Sequence, residues 1–208
     1  MGTTSHVAVP PYGRMMIFID GENLVCRYQE MLANGYIPRR EVVHERDTFV
    51  WYPPGPYLPR QHVVLRATYY TYATGSDEDI KNIVERLKAL TYPRDGRSHL
   101  PNTLYPQVFK KTRRSVKGKG VDIQMTVDIL THVYQNNLET VCLLSGDGDN
   151  KPIIETVVRS GKQIYIAAFS SGLNASVPNL ADRFILLDGF YFQTDPAGNA
   201  INIPTLPV

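Results

Sequence analysis

The sequence predicts an α/β fold with a mostly parallel central sheet. Two observations carry this. The run from Met15 to Ile19, opened by Arg14, is apolar and of strand length, stops at Asp20 and Gly21, and passes into a helical stretch from Asn23 to Ala33. Strand-like and helix-like runs then alternate as far as Leu187, the pattern of parallel strands joined by helical crossovers.

The later elements follow in order. Residues Asn34 to Gln61 carry Pro38, Pro53, Pro54, Pro56 and Pro59 around Trp51, Tyr52 and Tyr57. A proline every few residues denies both a helix and a central strand, so this segment reads as an insertion or lid. Val63 to Tyr72 is rich in β-formers, and Ile80, Ile83, Val84, Leu87 and Leu90 give Asp77 to Leu90 helical spacing. Leu104 to Phe109 predicts a short third strand, and Val121 to Gln135 a helix. Thr140 to Leu144 predicts a strand and Pro152 to Arg159 a helix with its proline in the first turn. Gln163 to Phe169 and Phe184 to Leu187 complete the strands, with a helical turn at Asn179 to Asp182 between them. One domain therefore spans 14–192, and 193–208, with Pro196, Gly198, Pro204 and Pro207, reads as a loose C-terminal tail.

Composition narrows the classes. The 208 residues are 43% hydrophobic and 20% charged, which fits a folded globular domain rather than a disordered chain. No uncharged apolar run approaches the roughly 20 residues that cross a bilayer, and Met1 to Pro10 lacks a basic segment followed by an apolar one. The expectation is a soluble, cytoplasmic protein without a membrane partner; self-association is left open. Cys26 and Cys142 are too few for a disulfide framework or a four-cysteine zinc site, and both read as buried thiols. Net charge is only +2, yet Gly96 to Val121 holds no acidic residue. Lys110, Lys111, Arg113, Arg114, Lys117 and Lys119 crowd into that window and form a local cationic field suited to phosphates.

Ligands of parallel α/β sheets sit beyond the carboxyl ends of the strands. Asp20 and Asn23 follow the first strand, Asp122 follows the third, and Asp147 and Asp149 follow the strand at Thr140 to Leu144. Converging carboxylates repel one another, and a hard divalent cation such as Mg2+ or Mn2+ is the usual remedy. Blander roles compete with this one. Asp20–Gly21 could be only a turn, Asn23 and Asp122 could cap helices, and Asp149 reads foremost as the cap of the helix after it. The conjunction of all of them, rather than any one, favours a site. On the helix Val121 to Gln135, an apolar face through Ile123, Val127, Ile129, Leu130, Val133 and Tyr134 puts Asp122 on the flank. It sends Asp128 to the opposite, solvent side, where His132 would form an exposed pair with it. Tyr69, Tyr70 and Tyr72 alternate along one strand, which favours packing over base stacking. An EF-hand loop from Asp147 fails at Lys151 and Val158, and no phosphate-binding glycine loop, GxSxG or HExxH is present.

Three blocks resemble those of a known family. FIDGENL at Phe18 to Leu24, KGKGVDIQMTVDIL at Lys117 to Leu130 and LLSGDGDN at Leu143 to Asn150 are similar to the signature blocks of NYN domains, the PIN-like ribonuclease group that includes LabA-like proteins. The resemblance covers most of Arg14 to Leu187. It implies a three-layer α/β/α PIN-like fold and metal-dependent hydrolysis of RNA. Carried over, Asp20, Asp122 and Asp147 become metal ligands, Asn23 their polar companion and Asp149 a fourth acid. Family members also often carry Asp at the position of Asp128, and Asn150 stands where many have an aromatic. The rival expectation is a non-catalytic NYN-like module that binds RNA or a protein.

Overall fold

A computed structural model describes residues 13–54, 62–93, 102–111 and 119–204, and the side chain of Lys119 is not among what it describes. Six parallel strands form the central sheet: β1 (Arg14–Asp20), β5 (Val63–Ala73), β6 (Leu104–Lys110), β7 (Thr140–Leu144), β8 (Gln163–Ala168) and β9 (Arg183–Leu186). Their spatial order is β6-β5-β1-β7-β8-β9, so the chain winds outward from β1 in one direction, returns, and winds outward in the other. The strand order reverses between β1 and β7, which pair directly from Met15–Thr140 to Ile19–Leu144.

Alternate residues of each strand enter two cores. Met15, Ile17 and Ile19 of β1 pack with Leu24, Val25, Tyr28 and Met31 of α1 (Gly21–Ala33) and with Ile83 and Leu87 of α2 (Asp77–Lys88). Met16 and Phe18 face the other way, toward Val121, Met125, Ile129 and Val133 of α3 (Lys119–Tyr134) and Ile153, Ile154 and Val157 of α4 (Lys151–Arg159). The result is the three-layer α/β/α, PIN-like arrangement. Burial on both faces explains why the strands read as unbroken apolar runs. Among the described residues, no helix is long and apolar enough to cross a membrane.

Several expectations are corrected. Across its described residues, 34–54, the proline-rich segment forms neither helix nor central strand, and these residues are packed into the fold. Its β3 (Val43–Glu45) and β4 (Phe49–Trp51) make an antiparallel hairpin whose Phe49, Val50 and Trp51 are buried against the α1 and α2 side of the sheet. The Trp51 indole donates to the Thr91 carbonyl at 2.7 Å, which ties the hairpin to the end of the α2 connection. Residues 55–61 lie outside the described residues. The expected tail is also held in place, as far as residue 204. After the short helix α5 (Asp188–Tyr191), β10 (Phe192–Thr194) pairs with β2 (Ile37–Pro38), and Arg39 donates to the carbonyls of Gly189 and Ile201, each at 2.8 Å. Such pairings join segments far apart in the chain, and local periodicity carries no trace of them.

On α3 the predicted apolar face is right in part: Ile129 and Val133 enter the core as expected, but the buried side continues to Val121 and Met125 and not to Ile123, Val127 and Tyr134. Ile123, Val127 and Tyr134 are 61%, 49% and 70% exposed, while Val121, Met125, Ile129 and Val133 are buried. Apolar residues occur nearly all round this helix, so its periodicity does not choose a side and the sheet does. Cys142 is buried as expected, but Cys26 is exposed on α1.

Gly21 occupies a point of close approach. A Cβ there would stand 2.3 Å from the Tyr69 ring and 2.6 Å from the Tyr70 carbonyl. Gly21→Ala should therefore cost on the order of 2 kcal/mol through forced displacement, seen as a lower urea midpoint; an unchanged midpoint contradicts that close approach. His62, buried beside Thr140 and the Tyr165 ring, has its pKa driven down to about 4 by burial and then by Arg183. The unfolded chain takes up this proton near pH 6.5 and the fold resists it until about 4, so the stability His62 provides is lost as pH falls through that window. His62→Gln should flatten the fall. The check is the difference in urea midpoint between wild type and variant from about pH 7 to about pH 4, which should shrink toward the acid end.

Candidate active site

The reversal of strand order gathers four acids around one cleft. Asp20 ends β1, Asp122 lies in the first turn of α3, and Asp147 and Asp149 follow β7; together with Ile123, Thr126, Val127 and Asn150 they line a hollow of about 230 Å³. Asp122 and Asp147 are exposed, Asp149 also stands toward solvent, and Asp20 is buried at 5% exposure.

Asp20 is fixed by both of its oxygens. Oδ1 accepts the Asn23 backbone N–H at 3.0 Å, which caps α1, and Oδ2 accepts the Ser145 hydroxyl at 2.9 Å. The residue that ends the strand and caps the helix thus also lines the cleft. Burial pushes the Asp20 carboxyl up to about 6; the two hydrogen bonds oppose that rise, and the charges of Asp122 and Asp147 add to it. A folded carboxyl raised in this way makes the ionised form costly at neutral pH.

Ser145 carries no obvious signal in the sequence, yet it is the hub. Its Oγ donates to Asp20 and accepts from the Asp147 N–H at 3.2 Å and the Asn150 side-chain amide at 3.0 Å. A serine before a Gly-Asp turn looks like ordinary loop chemistry, which hides this role. Asn23 accepts the Gly146 N–H at 3.2 Å through its side-chain oxygen, a second tie between the β1 and β7 turns. The expected cap assignment shifts by two residues. Asp147, not Asp149, closes the turn, its Oδ1 accepting the Asp149 N–H at 3.0 Å, whereas the helix after it is capped by Asn150 without a side-chain bond.

Asp128 does not point freely into solvent, as helix geometry suggests it should. It accepts the Tyr70 hydroxyl at 2.7 Å and the Gln124 amide at 2.8 Å, and it is not among the residues lining the cleft. Burial first, and then Asp128, push the Tyr70 phenol up. His132 pairs with Asn137 at 3.1 Å rather than with Asp128. Tyr69 is packed, bonding Val50, and Tyr72 accepts the Val121 N–H at the start of α3. Of the basic residues, Lys110 pairs with Asp77, and Lys111 pairs with Glu22 at 3.0 Å while lying 4.5 Å over the Tyr72 ring. Arg113, Arg114 and Lys117 lie outside the described residues, and Lys119 opens α3.

The donor chemistry around the cleft fits a hard divalent cation, since all four acids offer carboxylate oxygens and the Asp20 carboxyl, held above its ordinary range by burial and then by its acidic neighbours, gains from a nearby positive charge. Among the described residues, however, no group of three or more Asp, Glu, His or Cys side chains is arranged to hold a metal ion. The acids stand as walls of a cleft rather than as a finished cage.

Comparison with known proteins agrees with the fold. The chain is 29% identical over 80 residues to an uncharacterized protein of Methanocaldococcus jannaschii, MJ0482, an alignment that covers 38% of this chain and 33% of that relative. The chain thus matches only about a third of that relative's length. The crystal structure of a protein of unknown function from Vibrio parahaemolyticus, VPA0982, superposes with a TM-score of 0.55 over 86% of this chain and 95% of that one, at 15% identity. The NYN domain family matches residues 14–188, nearly the whole described fold, and with the sheet order and the acids at its reversal the chain belongs to that family, a PIN-like domain of nuclease type.

Proposed function

We propose that this protein is a metal-dependent ribonuclease that hydrolyses RNA phosphodiester bonds. The observation that carries the reading is the convergence of Asp20, Asp122, Asp147 and Asp149 on one cleft at the reversal of strand order. Asp20, Asp122 and Asp147 would hold Mg2+ or Mn2+, which when bound supplies Lewis acidity and a readily deprotonated water. The chain itself does the positioning. Ser145 and the Asn23 N–H fix Asp20, while Ser145 and Asn23 together lock the β7 turn that carries Asp147. Asp149, exposed on the same cleft, adds to the negative field that draws a cation.

RNA contact falls to Lys110, Lys111, Arg113, Arg114, Lys117 and Lys119. Lys110 holds a surface pair with Asp77, worth little in water and readily exchanged for a phosphate, while Lys111 pairs with Glu22 from a largely covered position over the Tyr72 ring. Replacing Lys110, Lys111, Arg113 and Arg114 by Ala should weaken RNA binding and flatten its dependence on salt. The log–log slope should fall by roughly 0.7 for each phosphate of a single strand that the variant no longer neutralises. An unchanged slope removes the basic stretch from the RNA interface.

Asp147→Asn tests the reaction. The amide oxygen can still accept the Asp149 N–H, and one charge bearing on Asp20 is gone, so the melting temperature in EDTA should hold or rise. Magnesium-dependent RNA cleavage should vanish. A variant that cleaves RNA as wild type does would sink the assignment of Asp147. Wild type that binds RNA but cleaves none with either metal would mark a non-catalytic binding module.

A further inference from the structure

The carboxyl edge of the sheet holds a second and larger hollow, about 520 Å³. It opens at the end of β5, between Thr74 and the hairpin turn at Arg46 to Thr48, with Cys26 of α1 on its wall and Lys111 at its side. The first turns of α1 stand between the two hollows. Asn23 bonds Gly146 on the cleft side, whereas Glu22 and Cys26 line the second pocket. β5 is the strand next to β1, and the two linings come within two residues of each other along the chain, with Asp20 in the cleft and Glu22 in the pocket.

The pocket is preformed. Gln29 donates to the Asp47 carboxylate at 3.0 Å and accepts the Asp47 N–H at 2.9 Å, pinning the hairpin turn to α1. Asp47 takes a left-handed φ of 57°, which Asp tolerates, and the Thr71 hydroxyl holds the Thr48 carbonyl at 2.7 Å. Its charges balance, with Lys111 on Glu22 and Arg46 at 3.8 Å from Asp47. A balanced lining does not select a free anion. Apolar walls from Val25 and Ala73 beside the hydroxyls of Thr48 and Thr74 suit a flat, neutral group with polar edges.

We propose that this pocket receives the base and ribose of the nucleotide next to the phosphate in the carboxylate cleft, and so selects single-stranded RNA. The inference rests on the ribonuclease reading. A base enters such a pocket only after leaving its stack, which single strands allow cheaply and duplexes do not.

Cys26 reports occupancy directly. It is exposed in the pocket while Cys142 is fully buried, so a thiol reagent applied to the folded protein reads Cys26 alone, and Cys26→Ser must abolish the signal. The experiment uses the Asp147→Asn protein with magnesium and a fluorescent oligoribonucleotide, its binding followed by anisotropy. Saturating single-stranded RNA should slow iodoacetamide modification of Cys26 several-fold, and a duplex of the same sequence should not. A bulky maleimide already on Cys26 should weaken single-strand binding several-fold. RNA that binds while Cys26 reacts at its free rate overturns the pocket and leaves the ribonuclease reading standing. Equal protection by the duplex overturns the unstacked nucleoside. Protein that neither binds nor, as wild type, cleaves RNA overturns both.

Discussion

A parallel strand must be followed by a crossover that returns the chain to the opposite end of the sheet. That constraint governs this molecule. With six strands in parallel, every strand-to-helix turn falls on one edge, and the reversal of order between β1 and β7 leaves a crevice there that no helix fills. The acids need no special device to find one another. Asp20 and Asp147 meet because β1 and β7 are hydrogen-bonded neighbours, and Asp122 joins them because α3 covers the same face.

What the topology brings together, electrostatics pushes apart. Asp20 is the costly member, buried and facing two further carboxylates, and its raised titration shows that the cost is not fully offset. Ser145 and the Asn23 N–H return part of it as charge-assisted hydrogen bonds. Ser145 has one proton and two lone pairs, and all are engaged, by Asp20, by the Asp147 N–H and by Asn150. The Ser145 hydroxyl, together with the Asn23 side chain that accepts the Gly146 N–H, therefore ties the two strand-end turns to each other.

The central strands and the identity of the cleft acids are legible in the sequence because their signals are local. Met15 to Ile19 is an unbroken apolar run ended by a turn, and each acid stands at a strand's end, just after one, or in a helix's first turn. Less legible is anything decided by partners distant in sequence. The buried side of α3 escapes a reading of periodicity because Ile123 and Val127 are as apolar as Val121 and Met125, so only the sheet tells them apart. Asp128 is misplaced for the same reason, since its partner Tyr70 lies 58 residues away. The hairpin of Phe49 and Trp51 and the anchoring of Ile201 by Arg39 likewise rest on contacts that no periodicity announces. Ser145 escapes notice because a hydroxyl in a turn has many ordinary uses.

The opening of α1 ties these parts into one mechanical unit. Within a few residues Asp20 caps the helix, Gly21 slips beneath the Tyr69 ring, Glu22 engages Lys111 and Asn23 reaches the β7 turn. Lys111 in turn lies over the Tyr72 ring, and the Tyr72 hydroxyl holds the backbone N–H beside Asp122. A path of direct contacts thus runs from the pocket at the end of β5, through Lys111 and Tyr72, to the helix start that presents an acid to the cleft. Since every link is a neighbour of the next, substitutions along the path should combine non-additively.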